Sequence, residues 1–247
     1  MSNLDKLIKL SRRGKKLTCI TAYDASFAKY LDNSDIDIIL VGDSLGQVVK
    51  GDNSTHHVTL DEIIYHGKCV KSGLNKSILM VDLPKKTYSN KLDAYKNTSK
   101  VINTCGADIV KLEINDKNIN IVEYLLSKYV PLCAHIGLLP QSVKSKSGYR
   151  KYGKSKKEAD RIYDTALKLD EMGVKIILLE CIENALAKKI TKNCKAPVIG
   201  IGSGKQLDGQ VAVIYDLLGI SFNNISTLTL KEQPVLKNII KKFKKDQ

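Results

Sequence analysis

Six apolar runs in this chain lead into, or enclose, residues able to do acid–base or metal chemistry. LTCITA leads to Tyr23-Asp24, DIILVG to Asp43-Ser44, SILMV to Asp82 and VKIILL to Glu180. IVKLE carries Lys111 and Glu113, and VPLCAHIG carries His135. Taken singly, each acid is most simply a turn residue or a helix N-cap. Their recurrence at the same point of successive runs argues for a shared rim. Asp43, Asp82 and Glu113 together offer hard carboxylate oxygens of the kind that hold Mg2+, an ion that keeps positions open for water or substrate. Glu180, at the exit of an apolar run, is the candidate general base, because partial desolvation raises a carboxyl toward working pH. Lys111 sits among apolar residues, where an unpaired ammonium is costly, so it pairs with an acid or meets an anionic substrate. His135 could donate a hydrogen bond or ligate a metal, although zinc needs more His or Cys than this rim offers. GIGSG (200–204) lacks the ending of a phosphate loop, and reads either as a close backbone approach to a ligand or as a tight loop.

The elements that must carry these residues alternate along the chain. β-branched apolar runs occupy 17–23, 37–42, 77–82, 107–113, 130–137, 174–180 and 196–202, and the stretch 210–220 reads equally as strand or helix. Between them lie helical patterns. Thr59 heads one that ends in Lys and Gly, Ser155 heads another that stops at Gly173, and 182–193 fits a shorter one. Strands without polar alternation, separated by helices, imply a parallel sheet covered on both faces. Seven or eight such units predict a single-domain α/β fold, a (β/α)8 barrel over 1–247. A short helical extension precedes it and a lysine-rich helix closes it. A doubly wound open sheet is the alternative, and the absence of GxGxxG after the first run counts against its dinucleotide-binding form.

Composition narrows the function classes. The formal net charge is +14, with 36 lysines and four arginines. Arginine is the better tool for bidentate contact with bases and phosphates, and the lysines are scattered, so the charge reads as a solvated surface rather than a nucleic-acid interface. Such a field would also favour a carboxylate substrate. The six cysteines form no CxxC pair and several lie in apolar runs, which suggests buried thiols in a reducing cytoplasm. No apolar run is long enough to span a bilayer, and the charged N-terminal segment lacks the apolar core of a secretory signal.

TAYDASFAK, LVGDSLG, the Asp82-Leu83-Pro84 step, VKLE, AHIGLLPQS, LLEC and GIGSGKQLDGQ, in this order, resemble the ketopantoate hydroxymethyltransferase family from about Leu17 to Gly219. The resemblance implies a homo-oligomer, a decamer in bacterial members, with an oxoacid and a folate as small-molecule partners and no nucleic acid or membrane. It implies transfer of a one-carbon unit from 5,10-methylenetetrahydrofolate to 3-methyl-2-oxobutanoate through a Mg2+-stabilised enolate, the first committed step of pantothenate synthesis. On these motifs Asp43, Asp82 and Glu113 would form the Mg2+ site. Ser44, Asp82 and Lys111 would contact the oxoacid together with Asp43, His135 would line the pocket, and Glu180 would accept the proton. The chain departs from the pattern at Lys85-Lys86, where an apolar and then a small or apolar residue are expected, and at Ile114-Asn115, where a Gly-Gly pair is usual. It also lacks the Pro-Lys-Phe segment near its C-terminus. Two other readings use different chemistry or none: a Mg2+-dependent lyase or mutase acting on oxoacids, and a catalytically dead relative.

Overall fold

The computed structural model describes residues 1–143, 145–222 and 235–245. Eight strands follow one another in the chain: β1 Leu17–Thr21, β2 Ile38–Val41, β3 Ile78–Asp82, β4 Ile109–Glu113, β5 Leu132–Gly137, β6 Ile176–Glu180, β7 Val198–Ile201 and β8 Gly209–Ala212. Every neighbouring pair is parallel, and β8 closes on β1, so the sheet is a closed barrel and not an open doubly wound sheet. The helices are α1 Asn3–Ser11, α2 Ala25–Asn33, α3 Leu45–Val48, α4 Leu60–Gly73, α5 Lys91–Cys105, α6 Ile119–Ser127, α7 Lys156–Met172, α8 Asn184–Asn193, α9 Ile214–Leu218 and α10 Val235–Lys245.

Local signals set the helix ends. Thr59 accepts the Glu62 N–H while the Glu62 carboxylate accepts the Thr59 N–H, a reciprocal cap that satisfies two otherwise orphaned donors at the start of α4. Ser155 caps α7 in the same direction, and Gly173 ends it in the left-handed region. The ambiguous stretch 210–220 resolves into both forms, β8 and then α9. The lysine-rich helix expected at the C-terminus corresponds to α10, while 223–234, within the segment that departs from the family pattern, lies outside the described residues.

The period of two along each strand sorts residues into two cores. Ile39, Val41, Leu79, Val81, Val110, Leu112, Ile177 and Leu179 face outward and pack with helix residues such as Ile63, Val101, Val122 and Ala166. The opposite phase fills the barrel. Leu17, Cys19, Ile38, Leu40, Ile78, Met80, Ile109, Cys133, Ile176, Leu178, Ile199 and Val211 pack together with Leu4, Leu7 and Ile8 of α1. Helix α1 therefore closes the N-terminal mouth of the barrel with apolar side chains. Continuing the same inward phase toward the other mouth gives Asp82 after Met80, Lys111 and Glu113 after Ile109, His135 after Cys133, and Glu180 after Leu178. The interior changes from apolar to ionisable along its axis.

Candidate active site

The C-terminal mouth gathers the residues singled out in the sequence. Asp82 and Lys111 are register partners on β3 and β4, and the Lys111 ammonium donates to Asp82 Oδ2 at 2.6 Å. Both are buried, Asp82 completely. Asp43 lies just past β2, and its N–H reaches toward the same Asp82 Oδ2 at 3.4 Å. Glu113 ends β4 beside His135 of β5 in register. Its Oε1 accepts the Gln141 N–H at 2.9 Å. Glu180 ends β6, one layer above His135 on the neighbouring strand, with its Oε2 3.2 Å from His135 Nε2. The pair stands at ion-pair distance without the alignment of a good hydrogen bond, and His135 Nδ1 has no partner. Ser44 is half-buried and shares a 2.8 Å hydrogen bond with the buried Tyr23 hydroxyl.

The helix-cap explanation fails for the acids that matter. Asp24 does cap a helix, accepting the Phe27 N–H at the start of α2. The residue ahead of α3 is Ser44 and the residue ahead of α8 is Glu183, so neither Asp43 nor Glu180 holds the cap position. The glycine-rich stretch is a tight loop. Ser203 Oγ accepts the Ile182 N–H and donates to the Leu179 carbonyl, bracing the loops after β6 and β7. Close packing also sets the end of β6. At Gly137, with φ 105°, a Cβ would lie 2.4 Å from the Glu180 carbonyl oxygen, so only glycine lets β5 run this near Glu180.

Three buried acids face one buried lysine. Burial, reinforced by the Asp43 charge, pushes Asp82 up to about 7 despite the lysine beside it. Glu113 is driven well above the usual carboxylate range, first by burial and then by Asp43. Burial alone would depress the Lys111 ammonium, but the charges of Asp82, Asp43 and Glu113 hold it above its ordinary value, so it is a fixed cation. Burial, then the Lys111 charge, depresses His135, and Glu180 opposes this only in part. The imidazole is neutral near pH 7. The partial desolvation expected of Glu180 holds, and the other acids go further. Its side chain is 21% exposed, and the deepest burial falls on Asp82, Glu113 and Lys111.

The donor set suits a hard divalent cation. Asp43 Oδ2, Asp82 Oδ1 and Glu113 Oε2 are all buried and none accepts a hydrogen bond. Buried acceptors are ordinarily satisfied, and unsatisfied ones are costly. Among the described residues no three or more His, Cys, Asp and Glu side chains are placed so that they alone could hold a metal ion. Mg2+ does not ask for one, since it takes one or two carboxylates and fills the remainder with water and substrate oxygens.

Several residues of this mouth carried no individual signal in the sequence. Tyr88 donates to Gln141 Oε1 at 2.6 Å, and Gln141 Nε2 donates to the Leu83 carbonyl at 3.0 Å. Gln141 thereby ties the loops after β3, β4 and β5 into one wall. Tyr149 is half-buried, and its hydroxyl is pushed up by burial and by the nearby charges of Glu180, Asp43 and Glu113. Gln141 lies within AHIGLLPQS, six residues after His135, so its proximity was readable, although its role was not.

Known proteins resemble this chain in sequence and in fold. The family model for ketopantoate hydroxymethyltransferase matches residues 2–246. A 3-methyl-2-oxobutanoate hydroxymethyltransferase of Vibrio parahaemolyticus is 44% identical over 220 residues, covering 89% of this chain and 83% of that protein. The protein of the same name from Buchnera aphidicola is 41% identical over 243 residues, 97% of this chain and 92% of its own. Among solved structures, a phosphonopyruvate hydrolase crystallised with oxalate and Mg2+ superposes with a TM-score of 0.68 at 10% identity, over 100% of this chain and 88% of the other. A 2,3-dimethylmalate lyase of the PEP mutase/isocitrate lyase superfamily gives 0.64 at 12% identity, over 99% and 87%. At such identities the structural likeness speaks for the fold alone.

Proposed function

The chain belongs to the ketopantoate hydroxymethyltransferase family, and we propose that it moves a hydroxymethyl group from 5,10-methylenetetrahydrofolate to 3-methyl-2-oxobutanoate. The products are 2-dehydropantoate and tetrahydrofolate, at the entry to pantothenate synthesis. The observation that carries the reading is the set of three buried, unpartnered carboxylate oxygens beside a fixed lysine, one layer from the partly exposed Glu180.

Asp43, Asp82 and Glu113 would hold Mg2+. When bound, the ion supplies Lewis-acid charge that favours negative charge on the ketone and carboxylate oxygens of the oxoacid. The chain's own groups do the remaining work. Lys111, kept cationic by its acids, draws the oxoacid's carboxylate into the mouth. The Ser44 hydroxyl, oriented by Tyr23, offers it a hydrogen bond. Glu180 takes the proton from C3, which gives the enolate. Its partial exposure lets it face a substrate arriving from solvent. His135 Nε2, 3.2 Å from Glu180 Oε2, packs against that carboxylate and limits where it can point. The enolate carbon then attacks the donor's methylene carbon as one of its C–N bonds breaks, and a water molecule replaces the second folate nitrogen on that carbon, which supplies the hydroxyl oxygen and, together with the proton from C3, the protons that leave with tetrahydrofolate.

Proton exchange at C3 of 3-methyl-2-oxobutanoate in D2O, followed by NMR with Mg2+ and without folate, tests this reading. We expect metal-dependent exchange in the native chain. It should fall about 10²- to 10⁴-fold in Glu180→Gln, the span that general-base catalysis supplies. It should be lost in Asp43→Ala. A native chain that exchanges nothing, with the donor present or absent, would sink the proposal.

A further inference from the structure

Outside the proton-transfer site, a groove of about 680 Å3 runs along the rim between the loops after β3 and β4. Its inner wall is Glu113 and Gln141, and its outer part is built from Lys85, Lys86, Lys91 and Lys117. No carboxylate among the described residues pairs with Lys85, Lys86 or Lys117. Lys91 is held loosely over the Tyr124 ring at 6.0 Å. Apart from Glu113 of the proposed metal site, the nearby acids are engaged elsewhere. Asp93 is bound to the Asn90 cap, and Asp116 faces Arg161 at 3.5 Å. The start of α6 also opens on this groove with no acid in its first turn, so its positive end adds to the field.

One lysine is placed at a conformational cost. The Thr87 N–H closes a turn on the Pro84 carbonyl at 3.2 Å, and Lys86 inside it has φ 71°. Glycine or asparagine ordinarily takes that position. Strain kept at a charged residue on an active-site rim points to a use for the charge.

We propose that this groove binds the γ-linked glutamate tail of the folate donor. The proposal rests on the donor reading given above. The donor must place its methylene inside the mouth, so the rest of the molecule leaves across the rim. Its tail carries one free carboxylate per added residue along an extended chain. Spaced cations on two loops and a helix start match such a string. A single compact anion would call for converging donors instead. Leu92, 72% exposed on the same rim, offers apolar surface ahead of the charged part.

The test compares tetrahydrofolate carrying one or three glutamates, by titration calorimetry on the full chain with Mg2+, at about 50 and 200 mM salt. The native chain should bind the triglutamate about fivefold or more tightly than the monoglutamate at low salt, and the advantage should shrink at high salt. In Lys85→Gln/Lys86→Gly the ratio should fall toward one. C3 exchange should be unchanged, and Tm unchanged or raised, because glycine relieves the turn. Equal affinity for both ligands in the native chain, no binding of either, or an undiminished ratio in the variant would overturn the proposal. Lysine-dependent tail binding without one-carbon transfer would sink the donor reading and leave the groove standing. Transfer with no preference for tail length would do the reverse.

Discussion

The two mouths of the barrel use the same residue type for opposite ends. At the N-terminal mouth, Asp37, Asp108 and Asp208 each sit one residue ahead of a strand and accept backbone N–H groups, from Thr18, Leu79 and Val198. Asp32 accepts three, from Asn75, Lys76 and Ser77, and fixes the approach to β3. Burial alone would raise Asp32, but those N–H groups outweigh it and hold the carboxyl below its ordinary value. At the C-terminal mouth, Asp43, Asp82 and Glu113 each keep an oxygen that accepts nothing, and burial drives Asp82 and Glu113 upward. Acids whose charge is matched by the fold stabilise it. Acids whose charge is left for something else destabilise it until that partner arrives, which is how stability and function divide between the ends of such barrels.

The sharpest way to break the contrast is to remove Lys111, the cation set beside the upper acids. Lys111→Met should cost about 3 kcal/mol of stability near pH 8, where the buried Asp82 must either stay charged without its cation or take a proton from a basic solution. The loss should shrink near pH 5 as Asp82 takes a proton, and chemical denaturation at both pH values reads the difference. Asp32→Asn, at the other mouth, should cost about 2 kcal/mol at pH 7, because three charge-assisted hydrogen bonds weaken at once. Its effect on C3 exchange per folded molecule should be nil.

The smallest effect sharpens the comparison through sign. A carboxyl whose folded pKa is raised binds its proton more tightly when folded, so stability falls as pH rises between 3.8 and about 7 for Asp82. A carboxyl whose folded pKa is lowered, as for Asp32, contributes stability present above 3.8 and lost on acidification below it. Without a divalent cation, Tm should therefore peak in mild acid and decline by roughly 2–5 °C toward pH 8. Saturating Mg2+ should abolish the decline on the alkaline side and leave the acid limb untouched. A metal-free Tm that climbs steadily to pH 8 would contradict the assignment of the upper acids.

Much of this was readable from the chain. The strand runs were found within a few residues, the caps at Thr59 and Ser155 were identified, and the rim residues were named because unbroken apolar runs and their polar exits are local patterns. Three things were not readable. The stretch 210–220 hid a strand and a helix in one apolar run, since both bury the same residue types. The wall built by Gln141 and Tyr88 joins loops far apart in the sequence. The order of burial along the rim is the third, because Glu180 and Asp82 both end an apolar run and only the closed barrel separates them.

By itself, the sequence determined that strands and helices would alternate, that the strands would be buried on both faces, and that ionisable residues would stand at their C-terminal ends. These follow from side-chain periodicity and backbone preference, which act over a few residues. The tertiary structure alone decided which acids are satisfied. Asp37-Ile38-Ile39 and Val81-Asp82-Leu83 are both an acid against apolar neighbours, yet one carboxylate meets the Thr18 backbone N–H and hydroxyl and an exposed Lys15 ammonium at the lower mouth, and the other meets a buried ammonium at the upper. The difference is one of dielectric and of partners supplied by neighbouring strands, and those exist only once the barrel has closed.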